Sequence, residues 1–229
     1  MHPLGFGDGA RAVAPMLVGV VPFGIIAGAI PIENGLGVWT AIACSTIVFA
    51  GASQLALYDV LADGGSWLVA AIAAWTINAR LLLYSASLAP HLDREPVRRR
   101  LLLGYLLSDQ AYAVSIARFT VHPEAGGRFR FVLGAGLTLW LSWQASTLAG
   151  ALAGNSLPED APIDAIVPLV FLVLLLPVLR TRPALAAAAA GGVGALIASQ
   201  AGAGGLATLV GALAGIITGA IVEQRSKPA

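Results

Sequence analysis

Uncharged, apolar runs follow one another along the chain with short gaps: 12–30, 34–58, 66–79 continuing through 81–92, 101–117, 131–158, 165–179, 183–200 and 202–222. A helix needs roughly 20 mostly apolar residues to cross about 30 Å of hydrocarbon. Most runs meet that length, and the short charged gaps between them leave no room for a soluble domain. Only Arg80 and Asp109 interrupt such runs near their middles. The pattern predicts an all-α, polytopic integral membrane protein in one transmembrane domain over 1–229. The first residues, MHPLGFGDGARA, contain no apolar stretch followed by a small-residue cleavage site, so no signal peptide is expected.

Arginine and lysine mark the cytoplasmic side of membrane proteins. Here they cluster at Arg11, at Arg94 with Arg98, Arg99 and Arg100, at Arg118 with Arg128 and Arg130, at Arg180 with Arg182, and at Arg225 with Lys227. The other connections carry Glu33, Asp63, Glu159, Asp160 and Asp164. If every run crossed once, the cluster from Arg94 to Arg100 would lie on the acidic side. The rule is restored if two runs enter the membrane and return: 34–63 from outside and 101–118, Leu101 to Arg118, from inside. The expected architecture is therefore about six full spans plus two re-entrant hairpins of opposite sense, with both termini cytoplasmic. Seven or eight simple spans are the alternative. Each hairpin has a place to break, at Ala50-Gly51-Ala52-Ser53-Gln54 and at Ser108-Asp109-Gln110. Opposed re-entrant pieces are what an inverted repeat produces, a plan common in transporters.

Composition sharpens this reading. Of 229 residues, 58% are hydrophobic and 11% charged, where a soluble domain carries about a quarter charged residues. A net charge of +1 points to no nucleic-acid partner, and a single cysteine excludes a disulfide scaffold. Twelve of the thirteen basic residues are arginine, the usage of a GC-rich bacterial genome. The expected location is the bacterial inner membrane.

Helix rise places the polar residues at one depth. Arg80 is fourteen residues from both Ser66 and Arg94, and Asp109 is nine from both Arg100 and Arg118. Gly51, Ser53 and Gln54 sit at the corresponding tip of the other hairpin. A charge at a helix centre costs about 2.5–3.5 kcal/mol on insertion scales, which pairing or a wet cavity can offset. Arg80 and Asp109 either form an ion pair that fixes packing or hold a zwitterion, guanidinium on carboxylate and carboxylate on ammonium. Asp109 is also the candidate for proton coupling. Tyr105 and Tyr112, one turn to either side, are placed to hydrogen-bond it. Asn78 is about 200° around an ideal helix from Arg80, so it either caps a broken helix or contacts another span. Amides at Gly51–Gln54 rival Arg80 for a substrate carboxylate. Pro22 and Gly24 are the hinge candidates in the first span. Gly211, Gly215 and Gly219 form a close-packing row, facing either a helix of this chain or a partner. Cys44 reads as a buried inert thiol. No metal or cofactor is expected, since His2, His91 and His122 lie in terminal or loop segments.

These residues resemble the AzlC family, large subunits of bacterial branched-chain amino acid exporters. The resemblance rests on Pro22-Phe23-Gly24 with Gly28, Phe49-Ala50-Gly51-Ala52-Ser53-Gln54, Asn78-Ala79-Arg80, Leu83-Tyr84-Ser85, Leu88-Ala89-Pro90 and Ser108-Asp109-Gln110-Ala111-Tyr112-Ala113. It implies efflux of branched-chain or similar small apolar amino acids, with a small AzlD-type membrane subunit as partner. The family usually has an Asp-Glu pair where this chain has Asp109-Gln110, and a basic residue or histidine where it has Leu81. One potential acidic group is thus missing.

Three functions remain to be separated. A secondary exporter would be proton-coupled, because the chain has no G-x-x-x-x-G-K-[ST] for ATP. An enzyme would need a nucleophile with a base, a carboxylate pair or H-E-x-x-H within the spans, and none occurs. A non-transporting membrane subunit or assembly protein would use the polar residues for packing alone. An exporter of another small zwitterionic metabolite is a variant of the first.

Overall fold

The computed structural model describes residues 3–154, 179, 181–202 and 206–226, and every regular element among them is helical. Two compact units result, Met1–Val167 and Pro168–Ala229.

The first unit opens with α1 (Phe6–Val13), a single turn of tighter helix over Ala14–Met16, and α2 (Leu17–Glu33). Pro15 suits that turn, since proline lacks the amide a continuous α-helix would use. Next come α3 (Val38–Ile47) and α4 (Gly51–Ala62). Between them Phe49 adopts φ +40°, a left-handed conformation that ends α3 and redirects the chain. Then α5 (Trp67–Asn78) and α6 (Arg80–Leu88) meet at Ala79, and the chain bends there by 40°. After α7 (Val97–Tyr105) a third break precedes α8 (Asp109–Val121). The unit's longest helix is α9 (Arg128–Gly154).

The second unit pairs α10 (Arg182–Gln200) with α11 (Leu206–Ser226). The glycine row answers its own question here. Gly211 packs on Ala195 and Gly191, Gly215 on the Ala187 carbonyl, and Gly219 on Ala187. The row is an internal contact.

Glycine also organises the first unit, where α9 is the spine against which α1 and α2 pack. A Cβ on Gly9 would overlap the Phe131 carbonyl, one on Gly28 the Thr147 carbonyl, and one on Gly150 the Ile25 carbonyl. The backbones touch because nothing stands between them, as in close-packed membrane helices. Polar groups add to the spine: Ser45 donates to Thr147 Oγ1 at 3.2 Å, and Gln144 donates to the Ser45 carbonyl at 3.0 Å. Cys44 is buried with Leu57, Tyr58, Ala70 and Ala74.

Outward faces are strongly apolar, with Trp39 79% and Ile47 78% exposed. Among the described residues, Phe6–Glu33 and Arg182–Gln200 are long and apolar enough to cross a membrane. The bent pair Trp67–Asn78 and Arg80–His91 makes a third if taken together. By contrast α3, α4, α7 and α8 have 10, 12, 9 and 13 residues. At about 1.5 Å per residue each covers only about half to two-thirds of the hydrocarbon thickness. The run 165–178 and the acidic residues Glu159, Asp160 and Asp164 lie outside the described residues.

Candidate functional site

Three helix breaks meet at Ala79. On one side of it, Asn78 ends α5 and its Oδ1 accepts a 2.6 Å hydrogen bond from Ser53 Oγ, on the first turn of α4. On the other side, Arg80 begins α6 and its Nη2 lies 3.0 Å from Oδ2 of Asp109, the first residue of α8. Two residues flanking one break thus hold the N-terminal ends of two different half-length helices. The two residues face different elements because the helix is interrupted between them; Asn78 contacts another helix, one of the two roles its spacing allowed.

The helix ends differ electrostatically. The first backbone bond of α4 runs from Gln54 N to the Ala50 carbonyl, and Ala50 supplies no side-chain cap. The amides of Gly51, Ala52 and Ser53 therefore have no helical acceptor, and they carry the positive end of the helix dipole. In α8, Ser108 accepts from Ala111 N at 3.3 Å and Asp109 puts a carboxylate on the first turn. That end is compensated and the α4 end is not. Arg80 places a cation at the positive end of α6, which is unfavourable without Asp109 beside it.

The ion pair is half open, its side chains 40% and 43% exposed for Arg80 and Asp109. Arg80 Nε is buried and makes no hydrogen bond, so the guanidinium retains an unused donor. Tyr84, one turn along α6, interacts with both charges and stacks on Tyr112, ring centroids 4.3 Å apart.

The other expected site residues have distinct positions. Gln54 is fully buried; its Oε1 accepts from Trp143 Nε1 at 3.1 Å and its Nε2 donates to Tyr58 OH at 3.1 Å. Gly51 makes room for Phe23 and Trp143, which meet edge to face at 5.5 Å; a Cβ there would come within 2.8 Å of Trp143 Cη2. Pro22 lies inside α2, which runs on without interruption, and Gly24 packs against Ser146. The Pro22–Gly24 segment therefore delivers Phe23 to the first turn of α4.

Tyr105 and Tyr112 bond elsewhere than to Asp109. Tyr105 donates to the Thr46 carbonyl at 2.7 Å and accepts from Trp140 Nε1 at 2.9 Å, while Tyr112 donates to Ser87 at 3.1 Å. The Leu106–Ser108 break separates Tyr105 from α8, so it is not one helical turn from Asp109. Its bond to Thr46 ties the end of α7 to the end of α3. Tyr84 was legible in the Leu83-Tyr84-Ser85 match and as a residue one turn beyond Arg80 on the same face. Trp143, 89 residues from Gln54, had no local signal.

Comparison with known proteins covers this whole arrangement. The family model described as AzlC protein matches residues 15–157, a stretch containing all three breaks. The inner membrane protein YgaZ of Escherichia coli K12 is 25% identical over 222 residues, which cover 94% of this chain and 88% of that protein. An uncharacterized membrane protein of Archaeoglobus fulgidus is 30% identical over 201 residues, covering 84% and 86%. No solved structure matches.

Proposed function

The chain belongs to the AzlC family of membrane proteins, and on that premise we propose that it is a secondary transporter, not an enzyme, exporting branched-chain or similar small apolar amino acids from the cytoplasm. The observation that carries the reading is the Ala79 break, where Asn78 and Arg80 join the uncapped end of α4 to the Asp109 end of α8.

A zwitterion suits this arrangement for an energetic reason. Bringing either of its charges alone into a low-dielectric site is costly, because desolvation exceeds what one contact returns. Here the resident ion pair already contains one charge of each sign. The substrate ammonium takes Asp109 and its carboxylate takes Arg80 or the free amides at Gly51–Ser53. One pair becomes two, with no net charge added. Protonating Asp109 would release Arg80 without a substrate, which gives coupling to a proton gradient a physical route.

The basic clusters support six full spans and two re-entrant hairpins, α3–α4 and α7–α8, entering from opposite sides with both termini cytoplasmic. The four half-length helices agree with that reading. A small AzlD-type subunit is the proposed partner. A purely structural role, in a subunit that transports nothing, is favoured by one observation: Gln54 is fully buried and bonds Trp143 and Tyr58 through its amide.

Labelled leucine measured in cells with and without the protein tests the proposal. An exporter lowers the intracellular pool while the membrane is energised and not after uncoupling. An unchanged pool for leucine, isoleucine and valine would remove this substrate class and leave other small zwitterions.

A further inference from the structure

A cavity of about 530 Å³ opens between α6, α7 and α9, apart from the Ala79 site. Its back wall is Leu88, Leu92, Leu103, Leu107 and Val132, all buried core residues. Arg100 stands at its rim on the first turns of α7. From these features we propose that the cavity binds one anionic phospholipid, an acyl chain lying against the leucines and the phosphate held by Arg100. The proposal rests on the chain being a membrane protein and is independent of what it transports.

Three observations select this occupant. The first is charge. Arg99 is neutralised by Glu95 at 2.9 Å and lies over the Phe129 ring, whereas Arg98 and Arg100 are exposed and make no ion pair among the described residues. An uncompensated arginine at an apolar slot, Arg100, complements an amphiphile with an anionic head. The second is length. From Arg100 to Tyr105 at the end of α7 is about 8 Å, so the slot stays within the upper part of one leaflet. That seats the headgroup end of one acyl chain of one leaflet, not a transmembrane partner. The third is Gly104. It lines the slot, and a Cβ added there would meet nothing within 4 Å. A glycine facing open space inside a helix weakens the helix and here leaves the slot wide.

Native mass spectrometry of the full chain, released from micelles holding equal amounts of dioleoyl phosphatidylglycerol and dioleoyl phosphatidylcholine, tests the assignment. The wild type should retain one phosphatidylglycerol in preference to phosphatidylcholine by about fivefold, the factor one arginine near an anionic surface supplies. Arg100→Gln should bring the two lipids to parity. Gly104→Leu should lose both lipids without a lower melting temperature, because leucine fills the slot and favours helix. Equal retention of the two lipids by the wild type would overturn the proposal. So would an undiminished preference in Arg100→Gln, or undiminished retention in Gly104→Leu. Displacement of the lipid by excess inorganic phosphate would reassign Arg100 to a free anion and overturn it as well.

Discussion

Removing both charges at the Ala79 break, with Arg80→Gln and Asp109→Asn together, separates a transport site from a packing device. At the observed 3.0 Å, two unit charges attract by about 5.5 kcal/mol at an effective dielectric of about 20. Desolvation offsets much of this, and with both side chains about two-fifths exposed solvent screening offsets more. The net worth of the pair is about 1–2 kcal/mol. Each single substitution strands the opposite charge and should cost at least that much. The double substitution keeps shape and hydrogen-bonding capacity and should recover about 1–2 kcal/mol in a double-mutant cycle. For a chain of this size that coupling corresponds to about 2–8 °C in melting temperature. The assays are melting in detergent, followed by tryptophan fluorescence, and export of labelled leucine. The double mutant should melt near the wild type, and above at least one single mutant, while failing to export. Export by a stable double mutant would refute the zwitterion argument and move the carboxylate site to the amides of Gly51–Ser53.

Three further outcomes are expected. Gly28→Leu drives a side chain into the Thr147 backbone and should cost about 3 kcal/mol or more, seen as loss of folded protein in membrane extracts. Gly215→Leu should unpair α10 from α11, because the row faces the Ala187 carbonyl; limited proteolysis should cut the second unit faster, and unchanged cleavage would refute an internal contact. In a Cys44→Ala background, a cysteine at Asp63 should react with an impermeant maleimide from outside and cysteines at Arg98 and Arg128 only from the cytoplasm; Arg98 and Arg128 on opposite faces would make 101–118 a full span.

The site was legible where it depends on spacing along one segment. Counting residues from the ends of their segments put Arg80 and Asp109 at one depth, and the structure joins them at 3.0 Å. Small polar residues inside apolar runs marked both breaks, because glycine, serine and aspartate favour caps over helix interiors. Legibility stopped where a contact depends on helices distant in sequence. The glycine row looked the same whether it faced this chain or another. Tyr105 was counted from Asp109 as though the helix were continuous, but a break resets the angular register; Tyr112 shares α8 with Asp109, yet its hydroxyl is taken by Ser87 from α6. Gln54 looked like a ligand because a polar side chain at a tip is unexplained until Trp143 arrives from α9.

The glycine contacts between α2 and α9 have a consequence for biogenesis. Gly24 meets Ser146, a separation of 146 − 24 = 122 residues. At synthesis rates of about 5–20 residues per second, the first span waits about 6–25 s for its partner. During that interval its glycine face offers neighbouring helices exposed backbone with no side chains to shield it. A chain that stops before Gly150 contains the first span but lacks part of the surface shaped to receive it. The packing of the first span is therefore completed only once α9 has been made.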